Sequence, residues 1–347
     1  MSLNPVISFP CIAPSLLAPS ETDAAGDLYR ENGFPVYGLN LEEKFKQLKS
    51  LLRYDRSQLI ENGNVQQTMH GLALAWSYFP HAWSVRCGEK RTPLELFFND
   101  ELFPKAAAKC RQMHDRVADS TLRKTLRIFS GTQSVSNFRP TAAAAIYDRF
   151  LPKNGGVVWD MSAGFGGRML GAIASRRVTK YIGTDPATLT MEGLCEMRDE
   201  VLPLANSLGF GGLEIELQKC GSEDFVPQRE SLDVCFTSPP YMGHEQYSDE
   251  PTQSYIRFKT REEWLHGFMK QTLANCHVGL KPKGKLIVNI AGVKSYPMLH
   301  NDFVAMAEAN GWKLEQTLQL CLSKMPGTGK RETAFKHEPI FVFRKKG

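Results

Sequence analysis

Residues 233–241 read DVCFTSPPY, and the stretch changes from apolar and strand-forming to rigid at its two prolines. The short apolar run Leu232–Phe236 predicts a buried strand. The prolines cannot donate to a sheet and each fixes φ, so the chain leaves the strand in a stiff, extended geometry. This exposes the Ser238 hydroxyl and backbone carbonyls at the strand's carboxyl end, where ligands bind in open α/β sheets. With the flat ring of Tyr241, these acceptors suit a planar group that carries an NH2.

An earlier stretch, Gly156–Arg168 (GVVWDMSAGFGGR), has the pattern of a nucleotide-type β-α unit. An apolar strand ends at the acid Asp160, and a glycine-rich turn then leads into a helical run. Glycines are needed in such a turn because ligand atoms press on the backbone, where a Cβ would clash. Roughly twenty residues later a second strand ends at Asp185, where an acid is placed to accept bonds from ribose hydroxyls.

Ser238-Pro239-Pro240-Tyr241 after a buried strand resembles the catalytic motif of S-adenosylmethionine (SAM)-dependent amino-methyltransferases. In that family Asp, Asn or Ser precedes Pro-Pro and an aromatic residue, and Ser-Pro-Pro-Tyr is most typical of DNA N4-cytosine methyltransferases. The resemblance implies that these four residues are catalytic and that SAM is the cofactor. It also implies an α/β, Rossmann-like fold, with a mostly parallel sheet and an antiparallel C-terminal strand. A plain Pro-Pro turn that leaves a strand is the structural alternative.

The resemblance also implies a set of cofactor-binding residues. Phe138 and Arg139 resemble motif X of the family, which helps to hold the methionine end of SAM, and Asp160 resembles the motif I acid that helps to bind the methionine ammonium. Glu223 and Asp224 follow the third strand, where the family meets the adenine amino group, although these acids could equally cap a helix. The candidates are Phe138, Arg139, Asp160, Ser162, Ala163, Gly164, Phe165, Gly166, Asp185, Pro186, Glu223 and Asp224. The acid Asp185 would also fit a dinucleotide enzyme, but the glycine spacing is not G-x-G-x-x-G.

The chain is expected to divide into a mainly helical region, residues 1–130, and a methyltransferase domain, residues 131–347. Within the first, Leu102–Ile128 carries seven Lys or Arg against two acids, which indicates either a solvated helical face or a nucleic-acid contact. All residues after Tyr241 are assigned to the methyltransferase fold, which leaves none for a separate target-recognition domain. Any recognition of a target sequence must therefore come from residues 1–130. This puts a restriction-type, site-specific role in doubt.

Composition sets the remaining expectations. The chain has 347 residues, a net charge of +5 and eight scattered cysteines without a C-x-x-C pair. We expect a cytoplasmic protein with reduced thiols, no membrane segment and no metal site. The charge permits a nucleic-acid partner, and the resemblance favours DNA over RNA. Oligomeric state, target base and recognition sequence are left open.

Three other functions are alternatives to a DNA amino-methyltransferase. An RNA amino-methyltransferase would share the catalytic motif. A protein-glutamine methyltransferase would normally show Asn in place of Ser238, and a non-catalytic SAM-fold binding module would not need the intact motif.

Met242–Thr260 is a long stretch without periodicity, which predicts a lid over the site. Within it, His244 is interpreted as an exposed histidine and not as a base.

Overall fold

The computed structural model describes residues 29–114, 117–242, 245–324 and 335–346. The helices are α1 Leu41–Arg53, α2 Leu72–Trp76, α3 Pro93–Phe97, α4 Leu102–Met113, α5 Asp119–Leu126, α6 Pro140–Phe150, α7 Gly167–Ala174, α8 Thr188–Ser207, α9 Ser254–Arg257, α10 Arg261–Glu263, α11 Lys270–Gly279 and α12 Leu299–Ala309. The strands are β1 Ile60–Glu61, β2 Asn64–Val65, β3 Arg86–Cys87, β4 Gly156–Asp160, β5 Val178–Thr184, β6 Glu214–Gln218, β7 Leu232–Thr237, β8 Glu245–Gln246, β9 Leu280–Asn289, β10 Trp312–Lys324 and β11 Phe335–Lys345.

The described residues form two compact units, which we call the helical unit (29–40 and 80–135) and the catalytic unit (41–79 and 136 onward). The predicted division at residue 130 differs from this arrangement in two respects: residues 41–79 pack with the catalytic unit, and residues 131–135 belong to the helical unit. Helix α1 is amphipathic and buries Leu48, Leu51 and Leu52, while strand β2 pairs in parallel with β10. The burial of these leucines explains why the segment stays with the larger core.

A nine-stranded sheet in the order β1-β2-β10-β11-β9-β7-β4-β5-β6 forms the centre of the catalytic unit. Strand β4 pairs in parallel with β5 and β7, and further parallel pairs join β5 to β6 and β7 to β9. Strand β11 runs antiparallel to both β9 and β10. The predicted fold class, a mostly parallel Rossmann-like sheet with an antiparallel C-terminal strand, is therefore confirmed.

Strands β4 and β7 lie side by side at the centre of this sheet. Both strands are largely apolar, and Trp159, Cys235 and Phe236 are fully buried. From β4 the chain proceeds outward to β5 and β6, and then returns to the other side of β4 as β7. The strand order thus reverses between β4 and β7, which is where open α/β sheets bind ligands at their carboxyl edge.

The helical unit has its own aromatic core, formed around Phe34, Trp83 and Phe97. Two of its basic residues serve this unit internally. Arg123 is buried and donates to the Pro35 carbonyl at 2.7 Å, and Arg127 donates to Ser134 Oγ at 2.6 Å. Lysines at positions 105, 109 and 124 are exposed. The basic count of the sequence therefore overstates the charge that is available for a nucleic acid.

Candidate active site

A cavity of about 500 Å³ opens at the carboxyl edge of β4, β5 and β7 in the catalytic unit. Its volume is within the range of about 300–1,000 Å³ that is typical of small-molecule sites. All but three of the predicted site residues line it: Phe138, Arg139, Ser162, Ala163, Gly164, Phe165, Asp185, Pro186, Glu223, Ser238, Pro239, Pro240 and Tyr241. The three that do not line it are Asp160, Gly166 and Asp224.

The four residues Ser238–Tyr241 leave strand β7 at the edge of this cavity. Pro239 is buried, whereas Ser238 and Tyr241 are half-buried and face the cavity. The Tyr241 hydroxyl accepts a hydrogen bond from the Ala291 backbone N–H at 3.2 Å, and this bond anchors the ring. Burial raises the pKa of Tyr241 far above its usual range, so the phenol stays neutral and cannot serve as a base near pH 7.

The glycine-rich turn follows β4 and forms the opposite wall. Gly164 has φ +54°, a left-handed conformation that residues with a side chain rarely adopt. A Cβ on Gly167 would lie 1.9 Å from the Phe138 carbonyl oxygen. Glycine at that position therefore allows the segment with Phe138 and Arg139 to lie directly against the first turn of α7, which brings it to the cavity.

Asp185 follows β5 and lies beside the glycine turn. Its two carboxylate oxygens accept hydrogen bonds from the backbone N–H groups of Gly164 and Ala187, each at 3.0 Å. Burial raises the pKa of Asp185 to about 6, although these two hydrogen bonds oppose the effect. The carboxylate retains acceptor capacity toward the cavity, since each oxygen has two lone pairs.

Asp160 lies beneath the turn and does not line the cavity. Its side chain is fully buried, and its carboxylate is bound by Arg168 Nε at 2.9 Å and by the Tyr181 hydroxyl at 2.7 Å. Arg168 also donates to the Ser162 carbonyl. The structure therefore places Asp160 where it supports the glycine turn, and its predicted contact with a ligand ammonium stays a prediction.

Glu223 lines the cavity, whereas Asp224 lies at the surface. Arg257 pairs with both, at 2.6 Å from Glu223 Oε1 and 3.2 Å from Asp224 Oδ1. The Glu223 side chain is 4% exposed, and its Oε2 has no hydrogen-bond partner among the residues that the structure describes. Because an unpaired buried acceptor is costly, this oxygen is suited to a ligand donor.

The loop after Tyr241 crosses the cavity, and its two ends are held by the same unit. Glu250 accepts bonds from the Thr188 backbone N–H at 2.8 Å and from the Thr188 hydroxyl at 2.7 Å, at the N-terminus of α8. Arg257 provides the second attachment, to Glu223 and Asp224. Between them, Gln253 is buried and lines the cavity. His244, which the sequence singled out in this loop, lies outside the described residues.

Several cavity residues carry no sequence signal of their own. Gln253 is one, and its Nε2 has no partner among the described atoms. Arg168 also lines the cavity, and it could have been found from its place in the first turn of the helix after the glycines. Glu245, Asn289 and Glu338 line the part near Tyr241. Only the pairing of β9 with β11 brings Asn289 and Glu338 together, and a single sequence does not reveal that register.

Metal, disulfide and membrane features complete the description of the chain. Within residues 29–114, 117–242, 245–324 and 335–346, no group of three or more His, Cys, Asp or Glu is arranged to hold a metal ion. The seven cysteines of these ranges are free thiols. Among the same residues, no helix combines the length and the apolar character needed to cross a bilayer.

Comparisons with solved structures give similarities at low sequence identity. One is a TehB-like SAM-dependent methyltransferase from Corynebacterium glutamicum, 16% identical over 61% of this chain and 90% of that chain, with a TM-score of 0.38. Another is a Burkholderia thailandensis 1,6-didemethyltoxoflavin-N1-methyltransferase with bound S-adenosylhomocysteine, 15% identical over 59% and 77%, with a TM-score of 0.37. A third is TYW2 from M. jannaschii in complex with AdoMet, 16% identical over 59% and 74%, with a TM-score of 0.36.

Sequence comparisons are more restricted. No curated protein matches this chain. Residues 232–347 match the N6/N4-methyltransferase family model, described as DNA methylase. The match begins with strand β7 and contains the Ser238–Tyr241 motif. The resemblance to amino-methyltransferases that the sequence predicted is therefore confirmed, and residues 232–347 are the part of the chain that carries it.

Proposed function

We propose that this protein transfers a methyl group from SAM to an exocyclic amino group of a nucleobase, either cytosine N4 or adenine N6 in DNA. One observation carries the proposal: the Ser238–Tyr241 motif lines the same cavity as the glycine turn and Asp185. A cofactor site and an amine-recognition site therefore share one enclosed space. The match of residues 232–347 to DNA methylases supports the choice of nucleic acid and of an amino acceptor.

The residues present fit SAM at the adenosine end. Asp185 would accept bonds from the ribose hydroxyls, and Gly164 leaves its side of the cavity open, since the nearest atom to an added Cβ is 3.7 Å away. Glu223 Oε2, a buried acceptor without a partner in the described structure, would accept from the adenine amino group, and Gln253 Nε2 would donate to the same ligand. SAM supplies an electrophilic methyl group on a positively charged sulfur.

The chemistry of the acceptor site follows from Ser238, Pro239 and Tyr241. Tyr241 would stack on the flipped base, while the Ser238 hydroxyl and the Pro239 carbonyl would accept hydrogen bonds from its NH2 group. These bonds aim the nitrogen lone pair at the methyl group and stabilise the positive charge that develops on nitrogen. The methylated amine is strongly acidic and loses its extra proton readily, so Ser238 is a hydrogen-bond acceptor and not a nucleophile.

The base must leave its stack to reach this cavity. Extrusion from a duplex costs a few kcal/mol and is easier from a single strand. The exposed lysines of the helical unit, Lys105, Lys109 and Lys124, are candidates for backbone contacts, and Lys105 and Lys109 are four residues apart on one face of α4. DNA binding in the cytoplasm is part of this proposal, and an RNA substrate is its alternative outcome.

Transfer of labelled methyl from SAM to four separate pools tests the proposal: duplex DNA, single-stranded DNA, RNA and protein. We expect label in DNA, with single strands labelled at least as fast as duplex. Label in RNA alone would replace the DNA assignment by the RNA one. SAM binding without label in any nucleic acid, or label in protein alone, would contradict the proposed acceptor class.

SAM affinity is expected to fall as the pH drops below about 6. Asp185 accepts ribose hydrogen bonds best as a carboxylate, and burial raises its pKa to about 6, with Asp160 adding to the rise and Arg168 opposing it. A ligand that prefers the ionised form binds well above this pKa and loses up to about tenfold in affinity per pH unit below it. Titration calorimetry between about pH 5 and pH 8 measures the effect, and Asp185→Asn should bind weakly with a flat profile. A wild-type profile that is flat over the same range would remove Asp185 from the cofactor site.

Glu250→Ala is expected to speed SAM dissociation about 5- to 10-fold. The substitution removes the bonds to Thr188 that hold the loop over the cavity, and a hydrogen bond to a charged group contributes about 1.5 kcal/mol. Stopped-flow displacement of bound SAM measures the rate. Glu192→Ala is the control, because it removes an exposed carboxylate one turn further along α8 without touching the loop. Equal dissociation rates in the two variants would show that the loop does not retain the cofactor.

A further inference from the structure

The cavity continues past Ser238 and Tyr241 to an acidic end that the proposed chemistry does not use. Asn289 is the last residue of β9, and Glu338 belongs to β11, the antiparallel neighbour of β9. Both strands lie on the side of β7 opposite to β4, β5 and β6, which carry the cofactor candidates. Glu245 lies in β8, four residues after Tyr241, and lines the same end. This part of the cavity is therefore the place for an acceptor and not for the cofactor.

Glu245 and Glu338 are half-buried carboxyl groups that line this end of the cavity. Glu245 accepts hydrogen bonds from the Tyr241 backbone N–H and the Tyr247 hydroxyl, and Glu338 accepts one from the Asn289 side chain. Within the described residues neither forms an ion pair, although Lys336 lines the same cavity. Burial raises the pKa of both carboxyl groups. The pKa of Glu245 rises to about 6, and the nearby charge of Glu338 contributes to that shift.

Two such groups in one enclosed space favour a state with a single proton, because two neighbouring carboxylates do not both ionise easily. A protonated carboxyl offers an O–H donor, and a carboxylate offers only acceptors. The pair thus presents one donor and one set of acceptors beside Tyr241. A hydrogen-bond donor and a set of acceptors that line a cavity favour a ligand with the complementary pattern.

We infer that Glu245 and Glu338 recognise the edge of the target base that contains the amino group and the adjacent ring nitrogen. Cytosine and adenine both present an NH2 donor next to an unprotonated ring nitrogen, N3 in cytosine and N1 in adenine. One carboxyl, which shares a single proton with the other, donates to that ring nitrogen, while the Ser238 hydroxyl and the Pro239 carbonyl accept from the amino group. Guanine and uracil carry an N–H at the corresponding ring position, so the donor of the pair would meet a donor. This inference rests on the proposed function, because it names the residues that would select its substrate.

Single-atom analogues of the base test the donor directly. The substrates are short single-stranded DNAs that contain one cytosine or one 3-deazacytosine, and a matched pair with adenine or 1-deazaadenine. In each analogue a C–H replaces the ring nitrogen and the amino group remains. We expect kcat/KM of the wild-type protein to fall about 10- to 100-fold on the analogue of the base that it methylates, as for the loss of a specific base contact.

Substitutions then assign the effect to the two residues. Glu245→Ala and Glu338→Ala should methylate the normal and the deaza substrates at similar, low rates. Glu245→Gln and Glu338→Gln should keep part of the discrimination between the two substrates, because an amide retains a donor and an acceptor. SAM affinity should be unchanged in all four, which separates this site from the cofactor site. Glu262→Ala, an exposed carboxylate on α10, is the control and should discriminate like the wild type.

The outcomes separate this inference from the function on which it rests. Suppose that the wild-type protein methylates cytosine with the same kcat/KM as 3-deazacytosine: this result would contradict the inference and leave the proposed function intact. Full discrimination between the two substrates in both alanine variants would have the same meaning. The wild-type comparison needs no substitution, so it decides the matter even if an alanine variant does not fold. Failure of the wild-type protein to methylate any nucleic acid would overturn both proposals together.

Discussion

Ser238→Ala is expected to lower the rate of methyl transfer about 100- to 1,000-fold and to leave SAM affinity unchanged. The serine hydroxyl would accept from the amino group as positive charge develops on nitrogen, and removal of one such preorganised partner has an effect of this size in other enzymes. Ser238 lies at the carboxyl end of β7 and lines the cavity, whereas Asp185, the proposed ribose ligand, follows β5 on the other side of β4. The loss should therefore fall on kcat. Single-turnover transfer at saturating SAM, together with calorimetric SAM binding, measures both parts.

The matched control for this substitution is Ser231→Ala. Ser231 precedes the same strand at its opposite end, where its hydroxyl donates to the Gln228 carbonyl at 2.7 Å, so it reports any general effect of serine loss on β7. It should transfer methyl at the wild-type rate. If Ser238→Ala also kept that rate, the hydroxyl would have no part in the reaction and the motif would be only a rigid exit from the strand.

Asp160→Ala is expected to lower the free energy of unfolding by about 3–5 kcal/mol. The substitution leaves the Arg168 guanidinium, itself 6% exposed, without its carboxylate partner, and the loss of one member of a buried ion pair has this magnitude. Tyr181 loses its hydrogen-bond acceptor as well. Urea unfolding, followed by the fluorescence of the buried Trp159 beside Asp160, measures the change.

A double substitution distinguishes a structural role of Asp160 from a contact between Asp160 and the cofactor. Asp160→Leu combined with Arg168→Met should be less destabilised than either single variant, because no unpaired charge is left buried. SAM affinity in Asp160→Asn should then change only as far as the glycine turn is disturbed. The opposite pattern, in which Asp160→Asn unfolds like the wild type but binds SAM much more weakly, would restore the ammonium-binding role that the sequence suggested.

Those parts of the site that lie within one β-α unit could be predicted from the local sequence. The apolar run before Ser238 and the glycines after Asp160 specify strand, turn and helix within a few residues, and the parallel pairing of β4 and β7 then brings both stretches to one edge. Because parallel strands end at the same edge of a sheet, Asp185 and Ser238 come to the edge that opens into the cavity. Both of them line it.

What the sequence did not reveal depends on contacts between distant segments. Asp160 could be recognised from the sequence as an acid at a strand end, but only the folded chain shows that Arg168 and Tyr181 both bind one of its carboxylate oxygens. The sequence assigned helix α1 to the helical region 1–130, yet its leucines pack within the catalytic unit, where Lys44 also pairs with Glu200 at 2.7 Å. Such pairings depend on register and on loop closure, for which local patterns carry no signal.

The most direct test of the central claim is the position of the transferred methyl group on the base. Nucleic acid labelled by the protein is digested to nucleosides and identified by mass spectrometry against standards. A site built from Ser238, the Pro239 carbonyl and Tyr241 predicts N4-methylcytosine or N6-methyladenine, with the label lost in Ser238→Ala. Label on a ring atom instead, as 5-methylcytosine or 1-methyladenine, would contradict the account, because these oxygens can direct only an exocyclic amino group toward the methyl.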